Sequence, residues 1–574
     1  MPLPTTFAGA SAIGEGEFKG SYGPAPIGGP YWINYFMDNG SGYASGADGS
    51  NVPSGTGTSN TTNSTVAYDI PVSIKVDAAG NVYTGSQVTR GEAYADLDFL
   101  VTKHDSSGNL VWQYAINNAY SPYQNIIDTQ NYANQLVEKS VLGKIVIDST
   151  GNVYAFCGQQ GGSGATTLPL LVKINSSGSE VWRISVSNFY ATICVDSSNN
   201  LWLYQGNILT QINTSTGYGI TNYTYYFGGG SIQFPGDMID DNQGNLVICG
   251  TKAVGSNGVI MSVSKSTLNV NWSKAAFTGV NGPNSTFAKG GAFCLAVDTT
   301  GNIYCAGLNG VIDSTQGGNA VVNIAVIKYN NSGTYLDTFV IKENGYGSSI
   351  GVSSTYGNAY GGPTNKHVLG MAVDSAGNVF LAGGIQLMNT MMVPAQFKIN
   401  FSTGVLQATY VGQNNIMAYG ASTAYTGTNL NLSYHTAMHD VALDSSGNSY
   451  WCGSVFTSYN YKDPTQKFPT YFEHIVGMII KDTNTFATSH TYNPSSNITI
   501  STTYNTAYLK PTYANSISSL LSANGGSFSG SGSGATGVDL GNASYSKSGS
   551  AASSYAPVSG ASQRISASFT KVTI

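Results

Sequence analysis

Val76-Asp-Ala-Ala-Gly-Asn-Val-Tyr-Thr-Gly85 is the segment on which the reading of this chain turns, because six more copies of it follow. They are IDSTGNVYAFCG from Ile147, VDSSNNLWLYQG from Val195, DDNQGNLVICG from Asp240, VDTTGNIYCAG from Val297, VDSAGNVFLAG from Val373 and LDSSGNSYWCG from Leu443. All seven align without a gap through the turn. Each reads as an apolar strand, a tight turn and a second apolar strand. Asp can bond the backbone two residues on, and Gly and Asn tolerate positive φ. The aligned carboxylates are Asp77, Asp148, Asp196, Asp241, Asp298, Asp374 and Asp444, spaced 45 to 76 residues apart. A unit of about 45 residues with insertions has the period of a four-stranded propeller blade.

Each unit carries a second hairpin, such as FLVTKHDSSGNLVWQYAI from Phe99 and LLVKINSSGSEVWRISV from Leu170. A Lys recurs where its first strand ends: Lys103, Lys173, Lys265, Lys328, Lys398 and Lys481. The blade is then strand A, turn, strand B, loop, strand C, turn, strand D. The expected fold is all-β, a seven-bladed β-propeller of four-stranded blades with extended N- and C-terminal arms. The division is residues 1–65 as N-terminal arm and linker, 66–495 as propeller, and 496–574 as a Gly/Ser-rich C-terminal arm with a terminal strand.

The repeats resemble the bacterial β-propeller repeat family found in surface and secreted proteins, and more loosely NHL-type repeats. The resemblance covers roughly 66–495 and implies the fold. It does not imply an activity, because propellers host enzymes, lectins and scaffolds alike.

Composition agrees. Only 9% of the 574 residues are charged, while Gly (71) and Tyr (38) are abundant, which disfavours helices and favours strands and turns. At 41% hydrophobic the chain can bury a core. A net charge of −6 without a basic cluster argues against a nucleic-acid partner. No run of 18 apolar residues occurs, so no membrane insertion is expected. The N-terminus has neither a basic nor an apolar signal region, so the chain is expected to be made in the cytoplasm.

Cys157, Cys194, Cys249, Cys294, Cys305 and Cys452 read as small buried hydrophobes in a reducing compartment, with Cys294 and Cys305 able to lie close. The turn aspartates read as structural, since a calcium loop needs several closely spaced oxygen ligands. His435 and His439 have i, i+4 spacing, but they stand where a strand begins and lack the helical face a metal pair needs. No Gly-x-Ser-x-Gly, Walker loop or Cys-x-x-Cys occurs. No catalytic residue, metal or cofactor is therefore expected, and the expected class is non-enzymatic.

Antiparallel strands put every A–B and C–D turn on one face and the B–C and D–A connections on the other. The turns are short. The long connections, 117–142, 342–366 and 411–436 between blades and 308–320 and 454–472 within them, all decorate the second face. They carry Tyr120, Tyr123, Tyr132, Tyr346, Tyr356, Tyr360, Tyr419, Tyr425, Tyr434, Tyr459 and Tyr461. Tyr among Ser, Gly and Asn suits adaptable recognition loops, so these are the candidate binding residues, for a host surface glycan or a neighbouring subunit.

At the ends, Tyr31-Trp-Ile-Asn-Tyr-Phe36 resembles strand D of the first blade, Val111-Trp-Gln-Tyr-Ala-Ile116. It either closes the ring on the last blade or reaches a neighbour. A short helix is expected near 514–523 and a strand over 563–574. The opening MPLPTTFAGAS resembles the starts of some bacteriophage tail and tail-fibre proteins. With the low charge and Gly/Ser-rich ends, that resemblance implies a virion structural protein of a tail, nozzle, baseplate or fibre, located in the virion and partnered by itself and by other virion proteins. The alternative is a lectin-like or adhesin propeller, with a propeller lyase or glycosidase behind it.

Overall fold

The computed structural model describes residues 6–7, 17–19, 32–38, 67–89, 97–116, 143–157, 169–186, 191–227, 234–251, 258–277, 280–281, 287–288, 291–313, 319–344, 367–387, 391–412, 438–461, 470–482, 499–501, 512–516, 527–532, 539–542, 545–550 and 567–573. The chain is a seven-bladed β-propeller. Blades 1 to 6 span 67–116, 144–185, 191–227, 234–276, 291–344 and 367–412, each an antiparallel sheet ordered A-B-C-D. The seven A strands neighbour one another in a closed ring about the axis.

Blade 7 supplies strands A, B and C from Met438–Leu443, Ser449–Tyr461 and Thr470–Asp482. Its fourth strand is Trp32–Asp38, from the other end of the chain. Of the two readings left open for that segment, ring closure is the one observed. The register is that of an ordinary strand D, for Trp32 stands opposite Lys481 as Trp112 stands opposite Lys103.

Alternation along the B strands builds the core between blades. Tyr154 and Phe156 of blade 2 face Leu201 and Leu203 of blade 3, and Val247 and Cys249 of blade 4 face Ile303 and Cys305 of blade 5. A sheet buried on both faces accommodates such near-continuous apolar strands.

The second face differs from the expected loops. The B–C segments assigned to 308–320 and 454–472 are largely strand: Ile303–Asp313 pairs with Asn319–Tyr329, and Ser449–Tyr461 with Thr470–Asp482. Their β-branched and aromatic residues continue the ladder past the blade.

The C-terminal part also pairs with the blades. Thr512–Ser516 adds a fifth strand to blade 6, Ser527–Gly532 to blade 5, Asp539–Asn542 to blade 4, and Tyr545–Ser550 to blade 3. Ala567–Thr573 then pairs with the closing strand of blade 7. Residues 514–516 of the helix expected at 514–523 are thus strand, because Thr512–Ser516 completes an open sheet edge, and 517–523 lie outside the described residues. Thr6–Phe7, Glu17–Lys19 and Thr499–Ser501 form a small separate sheet.

Candidate functional site

A propeller's axis is where its blades converge, and here a polar ring lines it. Four residues before each motif aspartate, strand A carries Ser73, Lys144, Thr192, Asp237, Cys294, Gly370 or Asp440. In five blades a β-bulge directly precedes this position, between Pro71 and Ser73, Pro235 and Asp237, Ala292 and Cys294, Val368 and Gly370, and Met438 and Asp440. A bulge breaks the ladder and frees a backbone donor.

Backbone donors of strand A beside this position are met from the neighbouring blade, in blade 2, whose register has no bulge, as in bulged blades 1 and 5. Asp440 Oδ2 accepts the Ile74 N–H at 3.1 Å, Ser73 Oγ accepts the Ile145 N–H at 3.2 Å, and Asp237 Oδ2 accepts the Leu295 N–H at 3.1 Å. Each case joins one blade to the next. Asp237 Oδ1 also takes its neighbouring Met238 N–H, as Asp440 Oδ1 takes that of Val441.

Lys144 supplies the balancing charge. Its ammonium donates to Asp237 Oδ1 at 2.5 Å, Thr192 Oγ1 at 3.1 Å and the Met238 carbonyl at 3.2 Å, three donors for three acceptors. Asp440 has the Lys75 ammonium at 3.2 Å and the Ser73 hydroxyl at 3.3 Å. Bonds therefore run from blade 7 through blades 1, 2, 3 and 4 to blade 5. At blade 6 the position must be glycine: a Cβ on Gly370 would lie 2.4 Å from Asp440 Oδ1. Both axial carboxylates are buried and committed to interblade bonds. Sequence reading missed this ring. Its signal was a polar residue at one fixed offset within an otherwise apolar strand.

On the turn face, each motif aspartate closes its own turn. Asp148 Oδ1 accepts the N–H groups of Thr150 and Asn152 and the Thr150 hydroxyl, while Oδ2 accepts the Asn152 amide and the Tyr154 hydroxyl. Asp77, Asp298, Asp374 and Asp444 each accept the same two backbone N–H groups and the Asn amide, and all but Asp374 also a Tyr hydroxyl. Asp196 differs in taking the Trp202 indole N–H, and Asp241 takes the backbone groups and Asn245. Burial by itself would raise the Asp148, Asp298 and Asp444 pKa values, but these hydrogen bonds outweigh it and hold them below the usual 3.8. Among the described residues no group of three or more His, Cys, Asp or Glu is placed to hold a metal ion.

The recurrent lysines lie over aromatic rings of strand B: Lys103 on Tyr83, Lys173 on Tyr154, Lys328 on Tyr304, Lys398 on Phe380 and Lys481 on Tyr450, at 5.0 to 5.5 Å. Blade 4 has Val247 at that ring position, and Lys265 there pairs with Asp240 at 2.9 Å.

Of the Tyr residues expected on the insertion face, Tyr120, Tyr123, Tyr132, Tyr346, Tyr356, Tyr360, Tyr419, Tyr425 and Tyr434 lie outside the described residues. Tyr459 and Tyr461 fall at the end of the long hairpin of blade 7, opposite Phe472 and Thr470. His435 also lies outside, and His439 occupies the bulge of strand A in blade 7. All six cysteines are buried and none is in a disulfide, and the Cys305 thiol lies within hydrogen-bond reach of Cys249 in the neighbouring blade. Among the described residues no helix is long and apolar enough to cross a membrane.

No family model and no curated protein matches the sequence. Solved structures are similar only at low level. A eukaryotic initiation factor is 7% identical, covering 79% of this chain and 98% of its own, with a TM-score of 0.30. Bacillus subtilis levansucrase is 9% identical over 60% of this chain and 86% of its own, at 0.23. The endo-1,5-alpha-L-arabinanase of Thermotoga petrophila is 10% identical over 72% and 99%, at 0.22.

Proposed function

We propose that this protein is a non-enzymatic structural component of a bacteriophage virion, a tail, nozzle, baseplate or fibre part, in which the propeller is a rigid body. The observation that carries the reading is the use of the chain's ends. Residues from both termini are laid as strands on the outer edges of blades, one completing blade 7 and five others extending blades 3 to 7. Strand addition along sheet edges, a mode that also joins separate chains, here fixes both ends on the chain's own blades and makes one rigid body. The axial carboxylates are spent on blade-to-blade bonds. The phage-like opening and the low charge point the same way. The partners on this reading are further copies of the chain and other virion proteins, with a host glycan at the Tyr-rich face.

The test is the solution mass of the full chain by light scattering, together with its binding to host cells. A defined multiple of 59.9 kDa is the expected result. A monomer at every concentration that cleaves a polysaccharide would overturn the proposal. A monomer that holds a sugar without cleaving it would move the assignment to a lectin.

A further inference from the structure

We infer that the seam between blades 7 and 1 is a latch, in which the C-terminal strand Ala567–Thr573 locks the N-terminal strand that closes the ring. In blades 1 to 6 strand D is tied to strand C by a short turn, such as Asp105 to Asn109 in blade 1. The covalent tie holds strand D in register whatever lies outside it. Strand D of blade 7 has no such tie. It reaches strand C from more than 400 positions away in sequence, and is held there by the ladder and by the burial of Trp32 among Tyr450, Cys452 and Ile479.

The pairing on its two sides is unequal. Toward blade 7, Trp32 to Phe36 stand opposite Lys481 to Gly477, five residues. On the outer side the whole strand is covered, with Trp32 to Asp38 opposite Thr573 to Ala567, seven residues. More of the closing strand is thus held by the C-terminal strand than by the blade it completes. The other fifth strands cover only part of a strand D that is already anchored. On blade 4, for example, only Lys274 and Ala276 find partners.

The inner layer of the seam is sealed separately. Asp440 binds Ser73, Ile74 and Lys75 across it, and Thr470–Asp482 meets Ala67–Val76 in a short parallel bridge, His474 to Ala67 and Ile475 to Tyr68. Trp32 ties the closing strand to blade 1, its indole donating to the Ser106 carbonyl at 3.3 Å and lying over Gly108. Release of the C-terminal strand therefore lets the outer layer peel while the axis stays shut.

Amide hydrogen exchange on the full chain reads this directly. In a Phe569→Pro, Thr570→Pro double variant one N–H facing Tyr35 or Phe36 is lost whichever way the strand is phased. Exchange of the 32–38 amides should speed up by about tenfold or more, as expected for a sub-global opening. The Ile74 amide and the blade 4 amides 246–249 should keep their protection. The matched control Phe528→Pro, Ser529→Pro on blade 5 should leave 32–38 unchanged. Unchanged protection of 32–38 in the first variant, or equal loss in the control, overturns the latch. Should the variant unfold, the wild-type chain in rising denaturant decides: 32–38 and 567–573 must open together and before 246–249. Opening only with the whole molecule refutes the proposal.

Discussion

Asp148 shows at a single residue what the motif is for. It accepts five hydrogen bonds within seven residues of chain, and the sequence from Asp to Tyr supplies every donor. Replacement by Ala strands the Asn and Tyr donors, so Asp148→Ala should lower the unfolding free energy by about 2–4 kcal/mol in denaturant titrations. Because the carboxylate is filled by its own turn, millimolar calcium should leave the melting temperature unmoved, whereas a native-state ligand would raise it. His104 makes the pH prediction. It is buried in strand C of blade 1, and desolvation lowers its pKa from 6.5 to about 4 against the opposing pull of Asp105. The unfolded chain then binds a proton that the folded chain refuses, so this contribution is complete above pH 6.5 and is lost as pH falls from 6.5 toward 4. His104→Gln should flatten the stability profile across that window.

The D strands show how one element docks on the next. Trp32, Trp112, Trp182 and Trp272 each donate their indole N–H to a carbonyl in the C–D turn of the following blade, Ser106, Ser176, Thr214 and Asn331. Each ring also lies against the positive-φ glycine of that turn. A Cβ on Gly108 would come within 2.6 Å of Trp32, whereas Gly244, equally left-handed at φ 96, has nothing within 4 Å. Gly244→Ala should therefore cost only the backbone strain, about 1 kcal/mol. Gly108→Ala should cost clearly more, and should red-shift the emission of the displaced Trp32. Thermal melts and fluorescence of the two variants check the difference. The strand-D character of Trp32–Asp38 was legible because the segment repeats the pattern of 111–116, including the indole, but its partner was not. The terminal strand Ala567–Thr573 was expected within 563–574, but the fifth strands of blades 4 and 5 were not legible: Ser527–Gly532 and Asp539–Asn542 hold too few apolar residues to announce themselves, and only an available sheet edge makes them strands.

At the scale of the whole ring, closure rests on the axis and on the seam. The Lys144 ammonium bridges blades 2, 3 and 4 with its side chain only 5% exposed. Lys144→Met leaves Asp237 buried without its counter-ion, and should lower stability by about 3 kcal/mol or more. Adding Asp237→Asn should recover part of that loss, since the charge is removed while an oxygen still accepts the Leu295 N–H. A double-mutant cycle by chemical denaturation measures the recovery. The network runs through six blades, from 7 to 5, so the loss should appear as one cooperative transition shifted downward rather than as the melting of a single blade.

The sequence alone determined the blade and its number. Asp-x-x-Gly-Asn with its following aromatic is a local device whose donors and acceptors lie within seven residues, so seven copies spell seven hairpins before any tertiary contact is known. The face on which the turns gather follows from strand alternation alone. Only the folded molecule decided the rest. The axial ring joins residues as distant as Ser73 and Asp440, each unremarkable in its own strand, because closing a sevenfold ring brings one repeat position to one line. The choice between a closed ring and an arm reaching outward likewise depended on whether an unpaired edge of blade 7 was there to accept Trp32–Asp38. An edge is a property of the assembled sheet, and no single strand encodes it.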